Sequence, residues 1–100
     1  MDPDLSDLTI ADVVRSEAGR DAGQMFYVIR TEGPYLLLVN GKDRTIEKPK
    51  KKKTKHTKKV LRSETRVAAK LRNGDKVLNS ELRRDLAHIC QTMQSNNLGG

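Results

Sequence analysis

The residues best suited to chemistry stand together between Lys48 and Arg62, where nine of fifteen positions are Lys or Arg and none is acidic. The other 85 positions carry 11 bases against 13 acids, so the net charge of +7 comes from this one stretch. Concentrated positive charge of this kind points to a polyanionic partner and to a defined contact surface rather than a uniformly basic coat. Lys48, Lys50, Lys51, Lys52, Lys53, Lys55, Lys58, Lys59 and Arg62 are the candidate contacts. A lysine positions a phosphate backbone without reading sequence. Neutralising about six phosphates predicts a slope of log affinity against log salt of about −4 to −5. Rival readings of the same run are a solvated linker and a nuclear-import signal of the Lys-Lys-x-Lys kind. His56, inside the run, offers a ring that either stacks on a base or is merely solvated.

A second candidate is the loop Ala18 to Gly23. Gly19 and Gly23 permit positive φ and close backbone approach, and Arg20 between them presents a planar, permanently charged fork suited to phosphate. Arg15 and Ser16 lead into this loop. Asp21 repels phosphate, and its expected role is to brace the turn. In the bland reading the glycines only shape a hairpin and Arg20 is solvated.

Other reactive side chains form no constellation. His88 and Cys90 lie two apart on a predicted helix and diverge. One cysteine excludes an internal disulfide, and no Cys/His spacing matches a metal site. No phosphate-binding loop, carboxylate pair or nucleophile triad is present. The expectation is a protein that is not an enzyme and takes no cofactor, metal or small-molecule substrate. The longest apolar run, Tyr35 to Val39, is far short of the roughly 20 residues of a spanning helix. With no basic-then-apolar signal pattern at the amino terminus, no membrane partner and a cytoplasmic location are expected.

The elements that must position these residues are short. Met1 to Asp12 is an acidic lead-in with at most one helical turn at Leu5 to Ala11. Strands are predicted at Val13–Ser16, Met25–Ile29 and Tyr35–Val39, separated by glycine-punctuated turns. Asn40-Gly41 predicts a two-residue hairpin into a fourth strand near Arg44–Ile46, which would complete a small antiparallel barrel over residues 13–47. Pro49 ends that barrel, residues 48–62 form an arm, and Val60-Leu61 offers a short closing strand. Ser63 is expected to cap a helix over Glu64–Leu71 that stops at Asn73-Gly74. Asn79 is expected to cap a second helix, whose stripe of Leu82, Leu86, Ile89 and Met93 packs internally or fills a partner's groove. Residues 63–94 thus form a helical part, and 95–100 a disordered tail. The fold class is mostly β with C-terminal α: a small barrel, a basic arm and one or two short helices.

Val13-Val14-Arg15-Ser16, the loop Ala18 to Gly23 and Phe26-Tyr27-Val28-Ile29 together resemble a KOW motif, the strand-loop-strand unit of ribosomal proteins and transcription elongation factors. Glu47-Lys48-Pro49-Lys50-Lys51-Lys52-Lys53-Thr54-Lys55-His56 resembles the basic extension of small bacterial KOW-domain RNA-binding proteins related to archaeal and eukaryotic large-subunit ribosomal proteins. Lys70 to Gly74 and Asn79 to Leu82 continue the likeness, which spans most of residues 10–87. It implies an SH3-like barrel and a non-catalytic protein that binds ribosomal RNA or the large subunit and is otherwise monomeric. Two positions depart from the pattern: Ala11 or Asp12 stands where many members have glycine, and Phe26 occupies a later glycine position. The alternative is a protein-interaction adaptor of the transcription or translation machinery that uses the barrel and the C-terminal helix.

Overall fold

The computed structural model describes residues 8–99, the side chains of 94–99 excepted. Five antiparallel strands, β1 (Asp12–Ser16), β2 (Met25–Glu32), β3 (Tyr35–Val39), β4 (Lys50–Lys53) and β5 (Thr57–Arg62), form one sheet in the order β4-β3-β2-β1-β5. Two helices follow, α1 (Arg66–Asn73) and α2 (Asn79–Gly99).

The sheet carries an apolar core on each face; in β3, Leu36, Leu38 and Val39 enter these cores, while Tyr35 and Leu37 are half-buried. Strand alternation sends Val14, Phe26, Val28, Leu36 and Leu38 to one face, where they pack with Leu8. Val13, Tyr27 and Val39 point the other way and pack with Ala68, Val77, Leu82, Leu86 and Ile89 under the helices. Bulges at Val13/Val14 in the β1–β5 ladder and at Val28/Arg30 in the β2–β3 ladder bend the strands. β4 and β5 lie at opposite edges yet are joined by only a 3-10 turn, Thr54–His56. The sheet therefore curls until its edges approach at that corner, although no ladder joins them.

Several expected elements are placed differently. The fourth strand is not Arg44–Ile46 but the lysine run itself, paired with β3 through Leu36↔Lys52 and Leu38↔Lys50. The expected arm of residues 48–62 is thus mostly two edge strands, and Val60-Leu61 falls inside the second. Lysine is a poor strand former, but the bare edge of β3 supplies hydrogen-bond partners, and a charged edge resists pairing with other chains. Asn40-Gly41 makes no two-residue hairpin. The Asn40 side chain accepts from the Lys42 and Arg44 amides at 2.9 and 3.0 Å, which holds the chain in a turn.

The lead-in also differs: its residues 1–7, and with them part of the expected turn at Leu5 to Ala11, lie outside the described residues. Leu8, Ala11 and Asp12 are buried, and the Ala11 amide donates to the Val28 carbonyl at 2.7 Å. Ala11 has φ of +72°, a left-handed conformation that favours glycine, at one of the two positions noted above for lacking one.

Both helix caps are displaced from their expected residues. Thr65, not Ser63, caps α1 by accepting from the Ala68 amide at 3.2 Å. Gly74, with φ of +75°, ends that helix as expected. At α2 the Leu78 carbonyl accepts the first helical bonds, and the Leu78 amide donates to Glu81 at 3.2 Å. Asn79 is thereby released, and its side chain accepts from the Ile46 amide at 2.9 Å and donates to Glu47 at 2.9 Å, latching the β3–β4 connection onto α2. The Leu82, Leu86, Ile89 and Met93 stripe packs against the sheet. α2 continues to Gly99, through most of the segment expected to be disordered. Among the described residues, no helix is long and apolar enough to cross a membrane.

Candidate nucleic-acid interface

Strand register sorts the lysines into two populations. Lys52 pairs with Leu36 and so shares its inward face. Its side chain, 8% exposed, crosses the interior to donate to Ser16 Oγ (2.8 Å), the Ala18 carbonyl (2.8 Å) and Asp21 Oδ1 (2.7 Å). An ammonium has three donors, and all three are used here. Ser16 is buried and donates to Asp21 Oδ1 at 2.7 Å. Lys50, on the same side of β4, sets its ammonium 3.2 Å from Asp21 Oδ2.

Asp21 therefore braces the loop, as expected, but through side chains of β1 and β4 rather than through backbone amides. Burial by itself would raise its pKa. Hydrogen bonds from Lys52, Ser16 and Lys50 outweigh that and hold the carboxyl well below the usual carboxylate range. The loop glycines serve this geometry: Gly19 and Gly23 have φ of +86° and +91°, and the Gly23 amide donates to the Ser16 carbonyl at 2.8 Å. Neither Ser16 nor Lys52 presents a polar group to a ligand, and nothing in the sequence distinguished Lys52 from its neighbours.

Other candidate residues also have acidic partners. Arg15 pairs with Glu17 at 3.2 Å, Lys51 with Glu32 at 3.8 Å, Lys59 with buried Asp12 at 3.7 Å and Arg62 with Glu64 at 3.3 Å. Arg20, Lys48, Lys53, Lys55 and Lys58 are exposed and make no ion pair with any described residue.

Four of these five, all but Lys48, are gathered at the corner where the sheet edges meet. The 3-10 turn carrying Lys55 and His56 is held on one side by the Glu17 amide donating to the His56 carbonyl at 2.8 Å, just before Gly19 and Arg20. On the other side the Thr54 amide donates to the Pro34 carbonyl at 2.9 Å. Lys53 ends β4 on this corner, and Lys58 lies across from Arg15 in the β1–β5 ladder. The turn at Pro34 and the adjoining Tyr35 were not among the candidate contacts. The position of Tyr35 beside Lys53 depends on β4 pairing with β3, which the lysine run conceals.

The helices serve the core. The Tyr27 phenol lies within hydrogen-bonding reach of Ser63 (2.8 Å), Thr65 (3.3 Å) and the Asp85 carboxylate, so one buried cluster joins β2, the start of α1 and α2. Burial, and then the Asp85 carboxylate, push the phenol up to about 12. Among the described residues no group of His, Cys, Asp and Glu is placed to hold a metal ion. Comparison with protein-family models gives no match, and comparison with curated proteins gives none either.

Proposed function

We propose that the protein is a non-catalytic RNA-binding protein of the cytoplasmic translation machinery that grips phosphates with the corner between its two lysine-bearing strands. The single observation that carries this reading is that Arg20, Lys53, Lys55 and Lys58, with Lys48 at the start of the run, have no acidic partner among the described residues while Asp21 absorbs two other lysines. Lysine strands at both sheet edges also guard against edge-to-edge association, but guarding needs only charge. A cluster of unneutralised cations on one corner is better explained by an anionic partner. The curled sheet is read as an SH3-like barrel of KOW type. Ribosomal RNA of the large subunit is named on the resemblance of residues 13–29 and 47–56 to KOW proteins. The adaptor alternative, which uses the barrel and the C-terminal helix, is weakened at the helix, because the apolar stripe of α2 packs against the sheet.

Affinity for folded RNA across a salt series tests the reading. With about five phosphates neutralised, the slope of log affinity against log salt is about −3.5 to −4.5, shallower than a full complement of arm lysines would give. Joint replacement of Lys53, Lys55 and Lys58 by Gln reduces the slope by about 2 to 3. A salt-insensitive affinity, or an unchanged slope in that variant, refutes RNA binding at this corner. Sedimentation separates the ribosomal part of the proposal: protein that binds RNA yet stays at the top of a low-salt gradient is not a ribosomal partner.

A further inference from the structure

Tyr35 opens β3 beside the unneutralised lysines, and its ring is fixed from one side by Lys51, whose Nζ stands 4.8 Å from the ring centroid. Lys51 does not line the cleft of about 390 Å³ that Tyr35 forms with Pro34, Lys53 and Lys55. Register explains the grouping. Tyr35 pairs with Lys53 across the β3–β4 ladder, and the bond from the Thr54 amide to the Pro34 carbonyl at 2.9 Å brings Lys55 to the same corner. The walls are thus a flat ring and a pyrrolidine, both stiff, flanked by two ammonium groups that have no acidic partner among the described residues.

A ligand for such a cleft must offer a flat π surface with negative charge on either side of it. The volume lies at the low end of the roughly 300–1,000 Å³ typical of small-ligand sites. We infer that the cleft takes one unpaired nucleotide of an RNA strand, its base against Tyr35 and Pro34 and its flanking phosphates on Lys53 and Lys55. This inference rests on the RNA-binding reading above and narrows it from phosphate contact to recognition of a single-stranded or looped segment. In an A-form duplex the bases are stacked on one another and cannot reach a protein ring. An acidic peptide would satisfy both ammonium groups but leave the ring without a stacking partner.

The test compares the full-length protein's affinity for a short oligoadenylate with that for an abasic sugar-phosphate strand of the same length and charge. The wild-type protein is expected to bind the oligoadenylate about tenfold more tightly, as one base on one ring allows. Tyr35→Leu closes that gap and leaves abasic binding unchanged, whereas Tyr35→Phe keeps it. On titration with oligoadenylate the Tyr35 ring protons shift upfield, a readout on the wild-type chain that stands even where Tyr35→Leu fails to fold. Equal affinity for the two strands, an unmoved Tyr35 ring, or displacement of the oligoadenylate by an acidic peptide of equal charge overturns the inference. If neither strand binds at low salt, the RNA-binding reading itself fails. If both bind equally, that reading stands and only the nucleotide cleft is lost.

Discussion

Replacing Lys52 by methionine separates the structural lysine from the functional ones. Methionine keeps most of the length and volume of the side chain but removes the ammonium that bonds to Ser16, Ala18 and Asp21. Breaking a buried ion pair from one side costs about 3–5 kcal/mol, because the remaining charge loses its partner. Asp21 keeps Lys50 at 3.2 Å, which places the expected loss near the lower end, about 3 kcal/mol. With a urea m-value of about 1.5 kcal/mol/M, the unfolding midpoint falls by about 2 M. Lys53→Met, one position along and facing solvent, is expected to change stability by no more than about 0.5 kcal/mol. Adding Asp21→Asn to Lys52→Met recovers part of the loss, since the orphaned charge is then gone.

The pH dependence follows from the same contact. The carboxyl of Asp21 is depressed in the folded protein, so its contribution is complete above the unfolded carboxylate pKa and is lost as pH falls through the folded value. Lys52→Met therefore flattens the acid limb of the stability curve. RNA affinity of the folded variant, by contrast, stays within about twofold of wild type, well under the loss of a charge-assisted contact, because the ammonium faces inward. A destabilisation by Lys52→Met below about 0.5 kcal/mol, no more than an ordinary surface substitution, refutes the buried network. So does a loss of RNA binding equal to that of the Lys53, Lys55 and Lys58 variant.

Three further outcomes are expected. Gly41→Ala drives a methyl into the Asn79 carbonyl oxygen at φ of +76° and should cost more than about 3 kcal/mol in urea unfolding, whereas Gly23→Ala, at φ of +91° in open space, should cost only about 1–2 kcal/mol. The Tyr27 phenol is raised in the folded state, so the stability it contributes is intact below pH 10.0, its ordinary value, and is lost as pH rises towards about 12. Alkaline unfolding monitored by circular dichroism should show that loss, and Tyr27→Phe should remove it. Leu82→Ala, at a side chain with no exposure in the α2 stripe, should cost about 2–5 kcal/mol by thermal or urea melts.

Local chemistry in the chain was enough to place β1, β2 and β3, the Gly74 helix stop and the apolar stripe of α2, because each depends on the spacing of apolar residues or on one residue's backbone freedom. The concentration of charge between Lys48 and Arg62 was equally plain, since charge is a property of composition. Asp21 as a brace was also legible, because a carboxylate between two glycines in a loop has few other uses.

Folding in three dimensions decided what those charges do. A run of identical lysines carries no alternation, so no periodicity reveals that Lys50 and Lys52 face the interior while Lys51 and Lys53 face out. That division exists only once β4 pairs with β3 and inherits its register. Pairing also moved the fourth strand away from Arg44–Ile46, where Asn40 and Asn79 accept from the Arg44 and Ile46 amides instead. It set Tyr35 and Pro34 beside Lys53 and Lys55 as well, a grouping invisible to any short window of residues. The physical reason is common to all three: edge pairing and ion-pair choice depend on which groups remain unsatisfied elsewhere in the fold, and a linear chain does not contain that information locally.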